Sequence, residues 1–381
     1  MDSRRAYLIL NLLPGIGPLR VAQLLSLFPS PEAVLAASAA ELARVPGIGG
    51  KLAGVISGWA DQCDPARELE MIEQAGVLVL TRDDPDYPAL LAEIHDPPLC
   101  LYLRGDPAAL ARTRGGISIV GSRRTTTYGT GVASRLATAC AVAGWPVVSG
   151  LARGIDTMAH RATVEAGGTT VAVLGCGLAH MYPQDNLPLA RRIVEEGGAL
   201  VTEFPMTCRP DKRNFPMRNR IISGLTRGTI VVEAGLKSGS LITAASALDQ
   251  GRTVFAVPGR VDSPQSRGCH ALIRDGARLV ETFQDVAEEF AGLPGLDLAV
   301  ESAKAPIPSR ELANDLTLSD IERKILSFLD ENETAIDALI VATGEPPAQV
   351  LGTLLLLEMK RLVKQLPGRR VARSGGGVVA Q

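Results

Sequence analysis

Between about residues 70 and 292 the chain alternates short apolar runs with stretches of helical periodicity. The runs are Val77–Leu80, Ile117–Val120, Pro146–Val148, Thr170–Leu174, Leu200–Thr202, Thr229–Val232 and Val254–Val257. They are rich in β-branched residues and bounded by Gly or Pro, which predicts parallel strands covered on both faces. Helical patterns fall between them, including Thr130–Val142 and Ser240–Asp249. Repeated βα units of this kind predict an α/β, doubly wound, mostly parallel sheet.

The flanks read differently. Residues 1–68 are helical and carry a short repeat: Leu12-Leu13-Pro14-Gly15-Ile16-Gly17 recurs as Arg44-Val45-Pro46-Gly47-Ile48-Gly49. Glycines at such a turn allow a tight helix-to-helix connection and let backbone N–H groups face an anion. The repeat resembles tandem helix-hairpin-helix motifs, which grip DNA phosphates. It equally fits a small helical bundle that keeps the turn for packing. The expected central domain spans 69–292, followed by a linker at 293–315 rich in Pro, Gly, Ala and Ser. Residues 316–373 read as three helices (Ser319–Leu329, Ala335–Thr343, Pro347–Met359) and a short ribbon through Gly368. That order predicts a winged helix, and 374–381 a frayed tail.

Composition narrows the function. With 381 residues, 46% of them hydrophobic, the chain is long enough for two or three domains with sizeable cores. No apolar run is long enough to span a bilayer, and the start does not resemble a signal peptide, so a soluble, cytoplasmic protein without a membrane partner is expected. The six cysteines are scattered singly, without a C-x-x-C pair, which argues for reduced, mostly buried thiols and no metal site. Net charge is −2, so any nucleic-acid surface must be a local patch.

In open α/β sheets ligands bind at the carboxyl ends of the strands. Here those ends hold Gly121-Ser122-Arg123-Arg124, Ser149-Gly150-Leu151-Ala152-Arg153-Gly154-Ile155-Asp156, Gly175-Cys176-Gly177 and Glu233-Ala234-Gly235-Leu236-Lys237-Ser238-Gly239-Ser240. Several lead into helix N-termini, where backbone N–H groups favour phosphate. Ser122, Ser149 and Ser240 add hydroxyls, and Arg123, Arg153 and Lys237 add charge. Neither G-x-G-x-x-G after the first strand nor G-x-x-x-x-G-K-[ST] anywhere is present, which weakens NAD, FAD and ATP as ligands, and no cofactor is expected. The segment Arg209–Arg220 holds five Lys or Arg against one Asp, with Phe215 in a loop-like context set by Pro210 and Pro216. A positive track with an interleaved aromatic suits single-stranded nucleic acid, since charge follows the phosphates and the ring stacks on a base. A solvated basic face, with Phe215 as a core residue of the next helix, is the alternative.

Gly121-Ser122-Arg123, the Ser149–Asp156 run, Phe215-Pro216-Met217-Arg218-Asn219-Arg220-Ile221-Ile222-Ser223-Gly224-Leu225, Ser238-Gly239-Ser240-Leu241 and Val257-Pro258-Gly259 together resemble the DNA processing protein A family (DprA, also called Smf). The resemblance is strong over about 70–285 and looser in the flanks. It implies a Rossmann-like central domain and a homodimer that binds incoming single-stranded DNA during natural transformation. It also implies handing that strand to RecA recombinase in place of single-strand-binding protein. Carried over by motif, Arg123 and Lys212 would contact phosphate, Ser122 would donate a hydroxyl and Phe215 would stack on a base. Arg218, Asn219 and Arg220 would build the pocket wall, with Lys237, Ser238, Gly239 and Ser240 opposite. Arg153 and Asp156 would pair to shape the pocket. The dimer surface would lie at Gly268–Ala277, anchored by Leu272 and Ile273, although Cys269-His270 departs from the family's usual Asn.

Two other classes of protein match part of the sequence. Glu203 and Glu233 both end strands and invite an acid–base pair, as in a Rossmann-like nucleotide-processing enzyme, but the P-G-G-x-G-T run of that class is missing. His160 has no G-x-S-x-G elbow beside it. The C-terminal winged helix suggests a regulator that reads duplex DNA, yet Thr334–Met359 contains no Lys or Arg, which favours partner docking or weak duplex contact.

Overall fold

The computed structural model describes residues 2–291, 319–329, 334–359, 362–366 and 369–373. The expected linker and tail lie outside them. The chain forms two compact units, Met1–Lys304 and Ala305–Gln381.

The first unit is built on nine strands: β1 (Leu78–Thr81), β2 (Cys100–Gly105), β3 (Ile117–Val120), β4 (Val147–Ser149), β5 (Thr170–Val173), β6 (Ala199–Thr202), β7 (Gly228–Val231), β8 (Thr253–Ala256) and β9 (Arg278–Leu279). Their order is β1-β2-β6-β5-β4-β3-β7-β8-β9. The pairs from β6 through β9 are parallel; β1–β2 and β2–β6 are antiparallel. The chain steps outward from β3 through β4 and β5 to β6, then returns to place β7 on the other side of β3. Such a reversal opens a crevice at the carboxyl ends of the two central strands. Strand β2 was not anticipated because it pairs antiparallel, outside the βα alternation that the sequence pattern follows; β9 continues that alternation in parallel with β8 but has only two residues, both exposed, and so no apolar run.

Successive residues of a strand face opposite sides of a sheet. Ile117 and Ile119 of β3 accordingly pack with Val132, Leu136 and Ala159 of the helices Thr127–Val142 and Ile155–Glu165. Val120 packs on the other face with Ile221, Ile222 and Ala244 of the helices Asn214–Gly224 and Gly239–Asp249. Ser118 is fully buried on that face and donates to the Ile222 carbonyl at 2.7 Å, so a polar strand residue is satisfied by the covering helix.

The N-terminal helices pack directly on the sheet edge. Leu8, Ile9 and Leu10 share one core with Tyr102, Leu174 and Leu200, which is why the first 68 residues belong to the same compact unit as the sheet. Both repeat turns contain a glycine in the left-handed region, Gly15 at φ +76° and Gly47 at φ +82°, where a side chain is strained. Helices Pro18–Leu25 and Gly50–Ser57 start immediately after Gly17 and Gly49.

The second unit has helices Asp320–Ser327, Ile336–Thr343 and Pro347–Met359. Its strands are β10 (Thr334–Ala335), β11 (Val363–Leu366) and β12 (Arg370–Arg373), ordered β10-β12-β11. Ile325, Leu339, Val350, Leu354 and Val371 form its core. This is the winged-helix order. Among the described residues no single helix is long and apolar enough to cross a membrane.

Candidate nucleic-acid interface

A cleft of about 860 Å³ lies at the switch point, lined by the loops after β3 and β7 and by the start of the Asn214–Gly224 helix. Each wall follows from close backbone packing. A Cβ on Gly121 would lie 2.6 Å from Ile155 and 3.1 Å from the Glu233 carbonyl, so only glycine lets β3 end against β7. Glu233 is consumed in holding the next turn: it accepts from Thr125 Oγ1 at 2.9 Å, Thr126 N at 3.0 Å and Thr126 Oγ1 at 2.5 Å.

Phe215 is not in a loop. It occupies the first turn of the Asn214–Gly224 helix and is half-buried. Its ring lies on Gly175, where an added Cβ would come within 2.8 Å of it. Tyr182 flanks it, with centroids 5.7 Å apart at 48°. The Arg123 guanidinium stands 5.3 Å from the ring centroid and that of Arg218 stands 6.0 Å away, within the range of cation–π attraction. Gly175 therefore serves ring packing, not a dinucleotide fingerprint.

Arg218 is 3% exposed and donates from Nη1 to the Gly150 carbonyl at 2.6 Å and to the Val173 carbonyl. It ties the ends of β4 and β5 together beneath the cleft. Burial pushes its pKa down to about 10, against Asp156, which raises it; it stays cationic at neutral pH. Asp156 accepts from the amides of Gly150 at 3.1 Å and Ala152 at 3.4 Å, and burial pushes its carboxyl above the usual range despite Arg218. Asn219 donates to the Gly239 carbonyl at 3.3 Å, joining the two helices that frame the cleft. Ser238 caps the Gly239–Asp249 helix, accepting from Ser240 N at 3.4 Å with the two hydroxyls 2.8 Å apart.

The structure thus gathers Gly121, Ser122, Arg123, Lys212 and Phe215 in one cleft with Arg218, Asn219, Lys237, Ser238, Gly239 and Ser240. Arg123, Lys212 and Lys237 are exposed, as is Arg124, a lining cation the sequence reading did not single out. Ser122 is engaged locally, bonded to the carbonyl and amide of Arg124 at 2.9 and 3.1 Å. Tyr182 was also missed; its only sequence signal was an aromatic next to Pro183 downstream of Gly177.

Four expected placements are corrected. Ser149 is fully buried and donates to the Ile119 carbonyl at 2.6 Å, and Gly150 lies under Arg218, so both support the floor without lining the cleft. Arg153 does not pair with Asp156; it is exposed and bonds Asp185 at 2.6 Å, while Asp156 faces Arg218. Arg220 points away from the cleft, to Glu203 at 2.6 Å and Asp96 at 2.8 Å, because two helical positions rotate a side chain by about 200° from Arg218. Glu203 and Glu233 do not pair: β6 and β7 are four strand positions apart, roughly 19 Å at sheet spacing. His160 is buried, bonded to Leu151 N at 3.3 Å and Thr170 Oγ1 at 2.8 Å. Leu272 and Ile273 lie half-buried on the helix Arg267–Arg274, packed against the sheet core.

Fold and site define an α/β protein whose switch-point cleft is cationic and aromatic, with the phosphate-friendly turns of the sheet around it. The family model for DNA recombination-mediator protein A matches residues 78–291. The DprA winged helix domain matches 308–369, and a SAM-like helix-hairpin-helix tandem matches 8–56. Protein Smf of a Synechocystis species is 36% identical over 98% of this chain and 99% of its own. DNA processing protein DprA of Bacillus subtilis is 44% identical over 58% of this chain and 74% of its own. Among solved structures, DNA processing protein A of Streptococcus pneumoniae aligns with a TM-score of 0.66 at 33% identity, covering 76% of this chain and 98% of its own. The chain belongs to the DNA recombination-mediator protein A family, DprA or Smf. A Helicobacter pylori member described for its single-stranded DNA binding mode aligns with a TM-score of 0.51 at 28% identity, covering 56% of this chain and 95% of its own.

Proposed function

We propose that this chain binds single-stranded DNA in the switch-point cleft without chemically altering it, and passes the strand to RecA recombinase in place of single-strand-binding protein during natural transformation. The observation that carries the reading is Phe215, held on Gly175 between Arg123 and Tyr182 and ringed by Lys212 and Lys237. A half-exposed ring among cations gives a base something to stack on while the phosphates meet charge. The single-stranded DNA named for the Helicobacter pylori relative supports the same ligand. A non-catalytic role is supported by the commitments of the carboxylates: Glu233 holds a turn, and Glu203 is paired to Arg220.

Oligonucleotide affinity measured against salt tests binding. Four exposed cations line the cleft, so the log–log slope should be about −3 for a single strand. Phe215→Ala should weaken binding by about 1–3 kcal/mol with little change in slope; a flat salt response and an unaffected variant would sink the reading. RecA filament growth on a strand coated with single-strand-binding protein, with and without this chain, tests the hand-off.

The winged helix supports partner docking over duplex readout. Its Pro347–Met359 helix exposes Leu351, Leu355 and Leu356, where a major-groove reader needs polar or basic groups. The role belongs to the cytoplasm, where RecA works.

A further inference from the structure

A second groove, about 1140 Å³, lies behind the first turn of the Phe215 helix. Its walls come from four parts of the first compact unit, one of them His95 and Asp96 in the segment before β2. Leu19 and Gly47 belong to the two N-terminal hairpins, Met217 and Arg220 to the Asn214–Gly224 helix, and Asp249 and Gln250 to the end of the Gly239–Asp249 helix. Pro216 lines both hollows, so the groove continues from the cleft. Along the Gly239–Asp249 helix, Ser240 faces the cleft and Asp249 the groove, roughly 14 Å apart at helical rise.

The chemistry of the two hollows differs. The groove has apolar surface, with Leu19 44% and Met217 48% exposed, and charge of both signs: carboxylates at Asp96 and Asp249, and an exposed Arg20 whose guanidinium donates to the Gly15 carbonyl at 2.7 Å. Two of its wall residues keep a buried polar atom without a partner, Arg220 Nη1 and Gln250 Oε1. Their other polar atoms are engaged: Arg220 with Asp96 and Glu203, and Gln250 Nε2 with the Arg220 carbonyl at 2.9 Å. Both unpartnered atoms are closed off from solvent, so they belong to the groove's frame, and the exposed carboxylate on its wall is Asp249. Asp96 is already paired with Arg220, whereas the exposed Asp249 carboxylate can accept from the exocyclic amines of cytosine, adenine and guanine.

We propose that this groove is a second nucleic-acid subsite, one that takes the base rather than the phosphate of a nucleotide further along the same strand. The base lies against Leu19 and Met217 with its amine-bearing edge toward Asp249, and the backbone crosses at Pro216. The subsite rests on the single-strand reading of the cleft.

Fluorescence anisotropy on the full chain separates the two. One probe is an oligo-dC of roughly six nucleotides, which fills the cleft alone; the other is roughly twenty nucleotides and reaches the groove. The double variant L19A/M217A should lose about tenfold in affinity for the long strand and none for the short one, with an unchanged melting temperature. The gain from lengthening should be larger for oligo-dC than for oligo-dT, whose edge has no exocyclic amine. An unchanged long-strand affinity, or equal losses at both lengths, overturns the groove and leaves the cleft reading standing. Equal gains for dC and dT overturn the base-edge assignment. Short-strand binding that does not depend on Phe215 overturns the cleft reading, and the groove with it.

Discussion

Arg218 and Arg220 are separated by one residue and have different work. Arg218 closes the floor of the cleft through the Gly150 and Val173 carbonyls. Arg220 neutralises Glu203, whose carboxyl burial pushes upward and Arg220 pulls back. Both arginines stood in one basic run, and no count of charge could tell them apart. Removing one partner of a buried pair leaves the other charge uncompensated. Arg220→Ala should therefore cost about 3–5 kcal/mol in urea unfolding, whereas Lys212→Ala, on an exposed side chain, should leave stability within about 0.5 kcal/mol. The glycines divide in the same way. Gly15 and Gly47 are needed for positive φ, but Gly175 is needed only because an aromatic ring lies on it. The first kind of requirement is visible in a turn sequence; the second depends on a partner forty residues away.

At the scale of elements, the parallel strands were legible because each is buried on both faces and reads as an apolar run. Strand β2 carries an equally apolar run but pairs antiparallel with β1 and β6, outside the βα rhythm. Pro210 and Pro216 give Phe215 a loop-like context in the sequence. Proline is tolerated in the first turn of a helix, and that is where Pro216 falls. The helix Ile155–Glu165 gives a pH test. Its His160 is fully buried, and burial lowers its pKa to about 3 from 6.5. The unfolded chain takes up a proton near pH 6.5, while the folded chain does so only near 3. Unfolding therefore binds a proton across that window, and stability falls as pH falls through it. His160→Gln should flatten the acid limb of a stability–pH curve by several kcal/mol in total, measured by denaturation at pH 7 and pH 4.

At the scale of the molecule, the N-terminal hairpins and the sheet share a core, so the helical region and the cleft-bearing domain form one working body. The helix Arg267–Arg274 has its Leu272 and Ile273 half-buried at the far side of β8. We expect this face to join two copies of the chain. Leu272→Glu should lower the solution mass from dimer to monomer by light scattering and weaken strand binding through lost avidity; an unchanged mass would place any dimer contact elsewhere.

Local periodicity and backbone conformation are enough to specify the parallel strands from β3 to β8, the winged helix, the turn glycines and the collection of Gly, Ser and Arg at strand ends. The family motifs of the central domain are also present in the sequence, apart from the departure at Cys269-His270. Which of those residues share a surface depends on contacts between segments distant in the chain. Those contacts put Phe215 on Gly175 beside Tyr182, sank Ser149 and Gly150 beneath Arg218, sent Arg153 to Asp185, and turned Arg220 into a second groove beside the hairpins. Local rules set what each segment is; the direction of a side chain is set by helix phase and by whichever neighbour the sheet order brings to it.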